Sequence, residues 1–321
     1  MPKHKNRVRR MKCTQKTWFY KEYGPKEVLQ FGDFPMPSPK SDQVLVQVKA
    51  SALNPIDFKM RQRPIVPTPL PVVPGCDMAG VVVGSGDGVS KFRIGDEVYG
   101  NIQDFHGELK QLGTLAQYIV VEESLVAMKP PNLTFEEAAS LPLALQTAVE
   151  GFKTAKFKAG QTVFVVGGAG GVGSLAVQLA NNVFGASKVA ATCSTKKVEF
   201  VKSLGAEVVV DYTQQGYHQI LEKFDFIFDT IGDTNKSYVV AKEEGAVVDI
   251  TWPPSNPRAV FSSLVVSGDG LARLHPYILS GKLKPIIDLT SPYDFDRVPE
   301  AFAYLETGRA WGKVVISSIS S

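Results

Sequence analysis

The sequence predicts an α/β fold, a doubly wound parallel sheet joined to a second, β-rich unit. Three observations predict it. From Gln161 onward, short β-branched runs alternate with helical periodicity, the pattern of a parallel sheet with helices on both faces. The first of those runs enters a glycine-rich turn, Gly167-Gly168-Ala169-Gly170-Gly171-Val172-Gly173, and a helical pattern follows at once. Before about residue 130, short strand-like runs are separated by Pro35, Pro37, Pro39, Pro64, Pro67, Pro69, Pro71 and Pro74, which punctuate rather than build helices.

Taken in order, the expected strands of the β-rich part are 17–20, 44–52, 78–83, 97–100 and 116–121. Residues 135–141 and 145–152 read as helices broken at Pro142. Strand 163–166 is apolar and β-branched. Helix 174–183 follows, with Val172, Leu175, Ala176, Leu179 and Val183 at spacings of three and four. Then come strand 188–192, helix 196–204, strands 207–210 and 224–229, helix 236–242 and strand 246–250. The chain is expected to return to the β-rich unit after about residue 284 and to close with strand 313–317. This divides it into a basic arm (1–15), a β-rich unit (16–135 and 286–321) and a parallel-sheet unit (136–285).

Gly168, Gly170 and Gly173 fit the G-x-G-x-x-G spacing of a dinucleotide-binding turn. One glycine makes the tight turn, one lets the backbone approach a pyrophosphate, and one lets helix pack on strand. The next helix aims its first N–H groups at the phosphates. An acid about 20 residues further on selects NAD, because it accepts from the ribose 2′-hydroxyl. The chain instead reads Cys193-Ser194-Thr195-Lys196-Lys197, with no acid before Glu199. Ser194 donates and Lys197 pairs with a 2′-phosphate on this reading, so the expected cofactor is NADPH. The alternative is that both lysines are solvated residues of a first helical turn.

Composition sets the outer bounds. No apolar run reaches the roughly 18 residues that span a bilayer. Cys13, Cys76 and Cys193 lie far apart, which is no disulfide framework. The net charge of +3 comes from the first twelve residues. Without Lys3, Lys5, Arg7, Arg9, Arg10 and Lys12 the chain carries 29 basic against 32 acidic residues. The arm reads as a solvated tail rather than a nucleic-acid surface. It lacks a secretory pattern and is short and serine-poor for a transit peptide, so the expected location is the cytoplasm.

Further motifs carry a family resemblance. They are Leu53-Asn54-Pro55-Ile56-Asp57-Phe58-Lys59, Pro74-Gly75-Cys76-Asp77-Met78-Ala79-Gly80, Gly95-Asp96-Glu97-Val98-Tyr99-Gly100 and Gly312-Lys313-Val314-Val315. In this order, with the glycine turn, the chain resembles the medium-chain dehydrogenase/reductase superfamily. The likeness is to its zinc-independent quinone oxidoreductase branch, and most of all to the plant enone and alkenal reductases. The resemblance implies a GroES-like catalytic domain, a Rossmann domain, an active site between them and a homodimer or monomer. It implies that Thr147, Tyr212, Ile231, Thr251 and Lys313 border the cofactor alongside the turn.

Zinc-dependent members use cysteine, histidine and carboxylate at one site and four cysteines at another. Three cysteines exclude the second, and Asn54 and Cys76 stand at the catalytic positions. No metal is therefore expected. Without a Lewis acid, the chemistry shifts toward an already polarised α,β-unsaturated carbonyl or a quinone, reduced by hydride transfer. Asn54, Asp57, Lys59 and Tyr99 are the candidate catalytic residues, as donors to the developing enolate or as groups that orient them. Asn54-Pro55 is equally a turn with Asp57 capping a short helix, and Tyr99 equally a core residue. Phe105, His106, Trp252 and Trp311 depart from the reductase pattern and are candidates for the substrate pocket. They are equally packing residues.

Overall fold

The computed structural model describes residues 14–105 and 109–320; the basic arm up to Cys13, and His106, lie outside them. β1 (Thr14–Phe19) and β2 (Gln30–Pro35) form an antiparallel pair. β3 (Gln43–Leu53) runs straight into Asn54 and α1 (Pro55–Gln62), whose first-turn proline lacks only an N–H the helix would not use. β4 (Asp77–Ser85), β5 (Glu97–Asn101), β6 (Tyr118–Glu122) and β7 (Val126–Met128) follow, then α2 (Phe135–Ala139) and α3 (Pro142–Thr154). Pro142 opens α3 instead of merely breaking a helix.

The alternating part comprises β8 (Thr162–Val166), α4 (Gly171–Asn182), β9 (Lys188–Cys193), α5 (Val198–Ser203), β10 (Val208–Asp211) and β11 (Phe224–Asp229). It continues with α6 (Thr234–Ser237), β12 (Ala241–Asp249), β13 (Val260–Phe261), α7 (Gly268–Ala272) and α8 (His275–Leu279). The helix expected over 236–242 is corrected. It ends at Ser237, and Ala241 already pairs with Phe224 of β11, while the Lys242 ammonium reaches Asp225 at 2.7 Å. Cross-strand pairing overrides the helical character of this charged run. Last come β14 (Tyr293–Asp294), α9 (Val298–Glu306) and β15 (Val314–Ser317).

The six strands β10-β9-β8-β11-β12-β13 lie in that spatial order, all parallel. Numbered within the unit this is 3-2-1-4-5-6, so the order reverses between β8 and β11, and ligands of such sheets bind outside the carboxyl ends at that reversal. The other sheet runs β14-β15-β3-β4-β5-β7, with β6 paired to β3.

Its two faces differ. Leu53, Met78, Val98, Val126 and Val314 point into one core with Trp18, Tyr20 and Phe302. Ala50, Ala79, Tyr99 and Ala127, one cross-strand row, join Leu141, Ala144, Leu145, Val163 and Val165 of β8 and the apolar residues of α4 in the other. Small alanines let α2 and α3 lie close on this face. The next row, Val315-Ala52-Asp77-Asn101, brings polar side chains to the rim of that same face. Among the described residues no helix is long and apolar enough to cross a membrane.

Candidate active site

The glycine turn leaves β8 at Gly167, whose φ of 81° a side chain would strain. Its N–H donates to Thr192 Oγ1 at 2.9 Å and the N–H of Gly168 to Thr192 O at 2.8 Å, pinning the turn to β9. The three patterned glycines are needed for different reasons. A Cβ on Gly168 would stand 2.7 Å from that of Ala191, and one on Gly173 only 2.1 Å from Gly167 O. Both are packing positions. A Cβ on Gly170 would meet nothing nearer than Gly167 O at 3.5 Å, and the backbone there is extended, so this glycine keeps open the space before the first turn of α4. Gly171 serves another contact, since a Cβ there would stand 2.9 Å from Lys313 Cδ. Ala169 is buried and its carbonyl accepts from Gly312 N at 2.9 Å, while Val172 packs half-buried on the core.

At the end of β9, Ser194 is half-buried and Tyr212, after β10, is exposed. Lys197 is already engaged, donating to Arg309 O at 2.8 Å and to Ala310 O at 2.9 Å. Trp311 lies here too, its ring 5.2 Å from that of Phe200 and 5.6 Å from Lys197 Nζ. Packing against α5 and Lys197 holds the indole, which favours its alternative as a packing residue over a place in a substrate pocket.

The loops after β11 and β12 are each tied down by the last residue of their strand. Asp229 Oδ1 accepts from Ile231 N at 2.9 Å and Gly232 N at 2.8 Å. Asp249 Oδ1 accepts from Thr251 N at 2.7 Å and Thr251 Oγ1 at 2.8 Å. Neither aspartate stood out in the sequence; an aspartate closing an apolar strand before a short polar turn is the signal that marks them. They hold Ile231 (64% exposed) and Trp252 (72% exposed) outward, the latter edge-on to Phe261 at 5.1 Å. Phe105 is half-buried in the turn after β5.

At the rim of the mixed sheet a buried polar network gathers Asn54, Asp57, Cys76, Asp77 and Lys313. The Asp57 carboxylate accepts from Asn54 N at 2.7 Å, as a helix cap, and from the Cys76 thiol at 3.0 Å. Asp77 accepts from Asn54 Nδ2 at 2.9 Å, from Leu143 N in the first turn of α3 at 2.9 Å, and from Lys313 Nζ at 3.2 Å. Lys313 Nζ also donates to Asn54 Oδ1. The sequence groups Asn54 and Asp57 with Lys59, and Cys76 with Asp77, but nothing in it joins either group to Lys313.

Burial pushes the Asp57 carboxyl up to about 6, against the pull of Cys76 and the Asn54 N–H, and it pushes Asp77 and the Cys76 thiol up as well. Folded Asp57 thus holds its proton more tightly than the unfolded chain does, so stability falls as pH rises from about 4 to about 6. Urea titrations of wild type and Asp57→Asn across this window should diverge, with the wild type losing up to about 3 kcal/mol more. Parallel curves would show that Asp57 does not titrate there.

Two catalytic candidates lie outside the network. Lys59 is exposed on α1. Tyr99 is fully buried, its hydroxyl 3.2 Å from His275 Nε2 and its ring stacked on that histidine. Burial raises the tyrosine's pKa and lowers the histidine's. A hydroxyl enclosed in this way fits the packing alternative for Tyr99 better than the expected role as a donor. Thr147 is buried on α3, one turn beyond Leu143. Among the described residues no group of three or more histidines, cysteines, aspartates or glutamates is placed to hold a metal.

Known proteins share this architecture. Residues 40–131 match the alcohol dehydrogenase GroES-like domain and residues 204–316 match the zinc-binding dehydrogenase model. A 2-methylene-furan-3-one reductase of Solanum lycopersicum is 51% identical over 95% of this chain and 79% of its own. The chain belongs to the medium-chain dehydrogenase/reductase family. A second relative of this medium-chain reductase is the chloroplastic NADPH-dependent alkenal/one oxidoreductase of Arabidopsis thaliana, 50% identical over 95% of the chain and 80% of that protein. The quinone oxidoreductase of Coxiella burnetii superposes with a TM-score of 0.86 at 29% identity, covering 95% of this medium-chain reductase and 99% of the other.

These findings overturn the expectation of a cytoplasmic location. The Arabidopsis relative and a quinone-oxidoreductase homolog of Spinacia oleracea, 32% identical over 91% of the chain and 95% of its own, are both named chloroplastic.

Proposed function

We propose that this protein is an NADPH-dependent reductase of activated carbon–carbon double bonds, acting on enones and alkenals in the plastid. The observation that carries the reading is the open space at Gly170. It faces the start of α4 and lies at the reversal of the parallel sheet, which fits a dinucleotide pyrophosphate. Ser194 and Lys197 stand where a 2′-phosphate is read, with no acid at the end of β9, and Tyr212 is exposed beside them. The names of the two relatives at 50% identity or above support both cofactor and reaction. When bound, NADPH supplies the hydride to the β-carbon of the substrate.

The chain's own residues then divide by accessibility. Lys59, Ile231 and Trp252 are exposed and available to cofactor or substrate. On this reading the Lys59 ammonium is the cation offered to the carbonyl oxygen as enolate charge develops. Asn54 and Asp57 are positioning residues. They fix the start of α1, and hence Lys59, without touching the substrate. Zinc independence is part of the proposal. The Cys76 thiol stays protonated and donates to Asp57, and the positive charge facing the two aspartates is that of Lys313. Domain boundaries near 135 and 286 fit the return of β14 and β15 to the mixed sheet.

The test is NADPH oxidation at pH 7 against enones, alkenals, exocyclic-methylene ketones and quinones, with products identified. Saturated carbonyl products are expected. Turnover of quinones alone would replace this reading with a quinone reductase.

A further inference from the structure

Trp311 is held at both ends. Its ring rests on Phe200 of α5, and its backbone N–H donates to Asp288 Oδ2 at 2.7 Å. Asp288 is itself fixed by Thr290 and by the Tyr304 hydroxyl at 3.0 Å. The indole therefore has little freedom, and the Lys197 ammonium sits 5.6 Å from its centre.

The ammonium has three N–H groups, and two go to the carbonyls of Arg309 and Ala310. Both acceptors are neutral, as is the indole face. Among the described residues the third N–H has no acceptor and no carboxylate is in contact with the ammonium. A flexible lysine has been fixed in place and half-desolvated, with the Asp288 carboxylate acting on it from a distance and not by contact. Fixing a lysine normally costs side-chain entropy, and here that cost is met before any ligand arrives. A phosphate monoester would find a directed, poorly solvated cation; a ribose hydroxyl would gain far less from it.

We propose that Trp311 is a positioning residue for Lys197 and thereby sets the preference for a dinucleotide that bears a 2′-phosphate over one that does not. The proposal rests on the NADPH reading and adds to it a determinant outside the glycine turn and outside the strand that ends at Ser194. The Phe200 and Lys197 side chains come from one sheet's unit, while Trp311 precedes β15 of the other. Selectivity is on this account shared across the two units.

Calorimetric titration with 2′,5′-ADP and 5′-AMP tests this without turnover, on wild type, Trp311→Ala and Trp311→Phe. The expected result is that Trp311→Ala weakens 2′,5′-ADP by about tenfold, the scale of one charge-assisted hydrogen bond, and leaves 5′-AMP within about twofold. Trp311→Phe, which keeps an aromatic face on Phe200, should retain most of the discrimination. In turnover, Trp311→Ala should raise KM for NADPH, with kcat and KM for NADH little changed. Equal weakening of both probes, or of neither, in a wild type that prefers 2′,5′-ADP would overturn the role of Trp311 alone. A wild type that does not distinguish the probes would overturn the NADPH reading, and this proposal with it.

Discussion

Lys313→Met is expected to destabilise the protein by about 3–5 kcal/mol, the cost of leaving a buried carboxylate without its partner. Lys313 is 5% exposed and Asp77 is fully buried, so neither charge has water to fall back on. The methionine keeps the stem that passes Gly171 and removes only the charge, which separates electrostatics from packing. Asp77 would retain Asn54 and Leu143 as donors, yet two carboxyls would face each other across Asn54 without a cation. Both should then hold protons to higher pH, because burial and mutual repulsion act unopposed. The deficit should accordingly be smaller at pH 5 than at pH 8. Lys313→Met with Asp77→Asn should recover more than half of the loss, since the second change removes the stranded charge. Urea unfolding of the single and double variants at both pH values measures this. A deficit that does not change with pH, and that the second substitution does not relieve, would mean that the lysine acts through packing.

Gly170→Val should weaken NADPH binding at least about 100-fold while changing stability by no more than about 1 kcal/mol. The backbone of Gly170 is extended and a Cβ there makes only an ordinary contact, so neither backbone conformation nor the Cβ position opposes the substitution. What the side chain would fill is the space before α4. Gly173→Ala is the contrasting variant: its Cβ would collide with Gly167 O at 2.1 Å, so the turn or the helix must move and stability should fall by several kcal/mol. Fluorescence titration with NADPH, beside thermal unfolding, separates the two. Undiminished binding in Gly170→Val would remove the pyrophosphate assignment.

Local motifs were legible from sequence because their parts are chain neighbours. The glycine turn, its strand and its helix occupy 162–182 without interruption, and the periodicity of β8 and α4 leaves little else for them to be. The alternating pattern likewise implies a parallel sheet, though not that β11 rather than β9 closes the reversal beside β8. Pairings across long separations left no trace. Asn54 and Lys313 are 259 residues apart, and nothing local to either says that they meet. Trp311 and Tyr99 show the same limit. Each was recognisable as a large aromatic near a motif, but the direction of its ring is set by Phe200 in one case and His275 in the other. Exposure is a tertiary property too, and it moved the emphasis from Asn54 and Tyr99 to Lys59.

The position of β15 between β14 and β3 has a consequence for biosynthesis. This central strand and its attached lysine leave the ribosome after every other strand of the mixed sheet. The parallel sheet, completed by β13, can form during translation, because every strand it needs has already emerged. The mixed sheet cannot. Until β15 inserts, Ser51, Ala52 and Leu53 of β3 lack a partner strand on one side and Asp77 lacks its counter-ion. The nascent protein therefore passes through a stage with one finished half and one adhesive half. A premature stop before Gly312 would trap it there, as a chain prone to aggregation rather than a merely inactive enzyme.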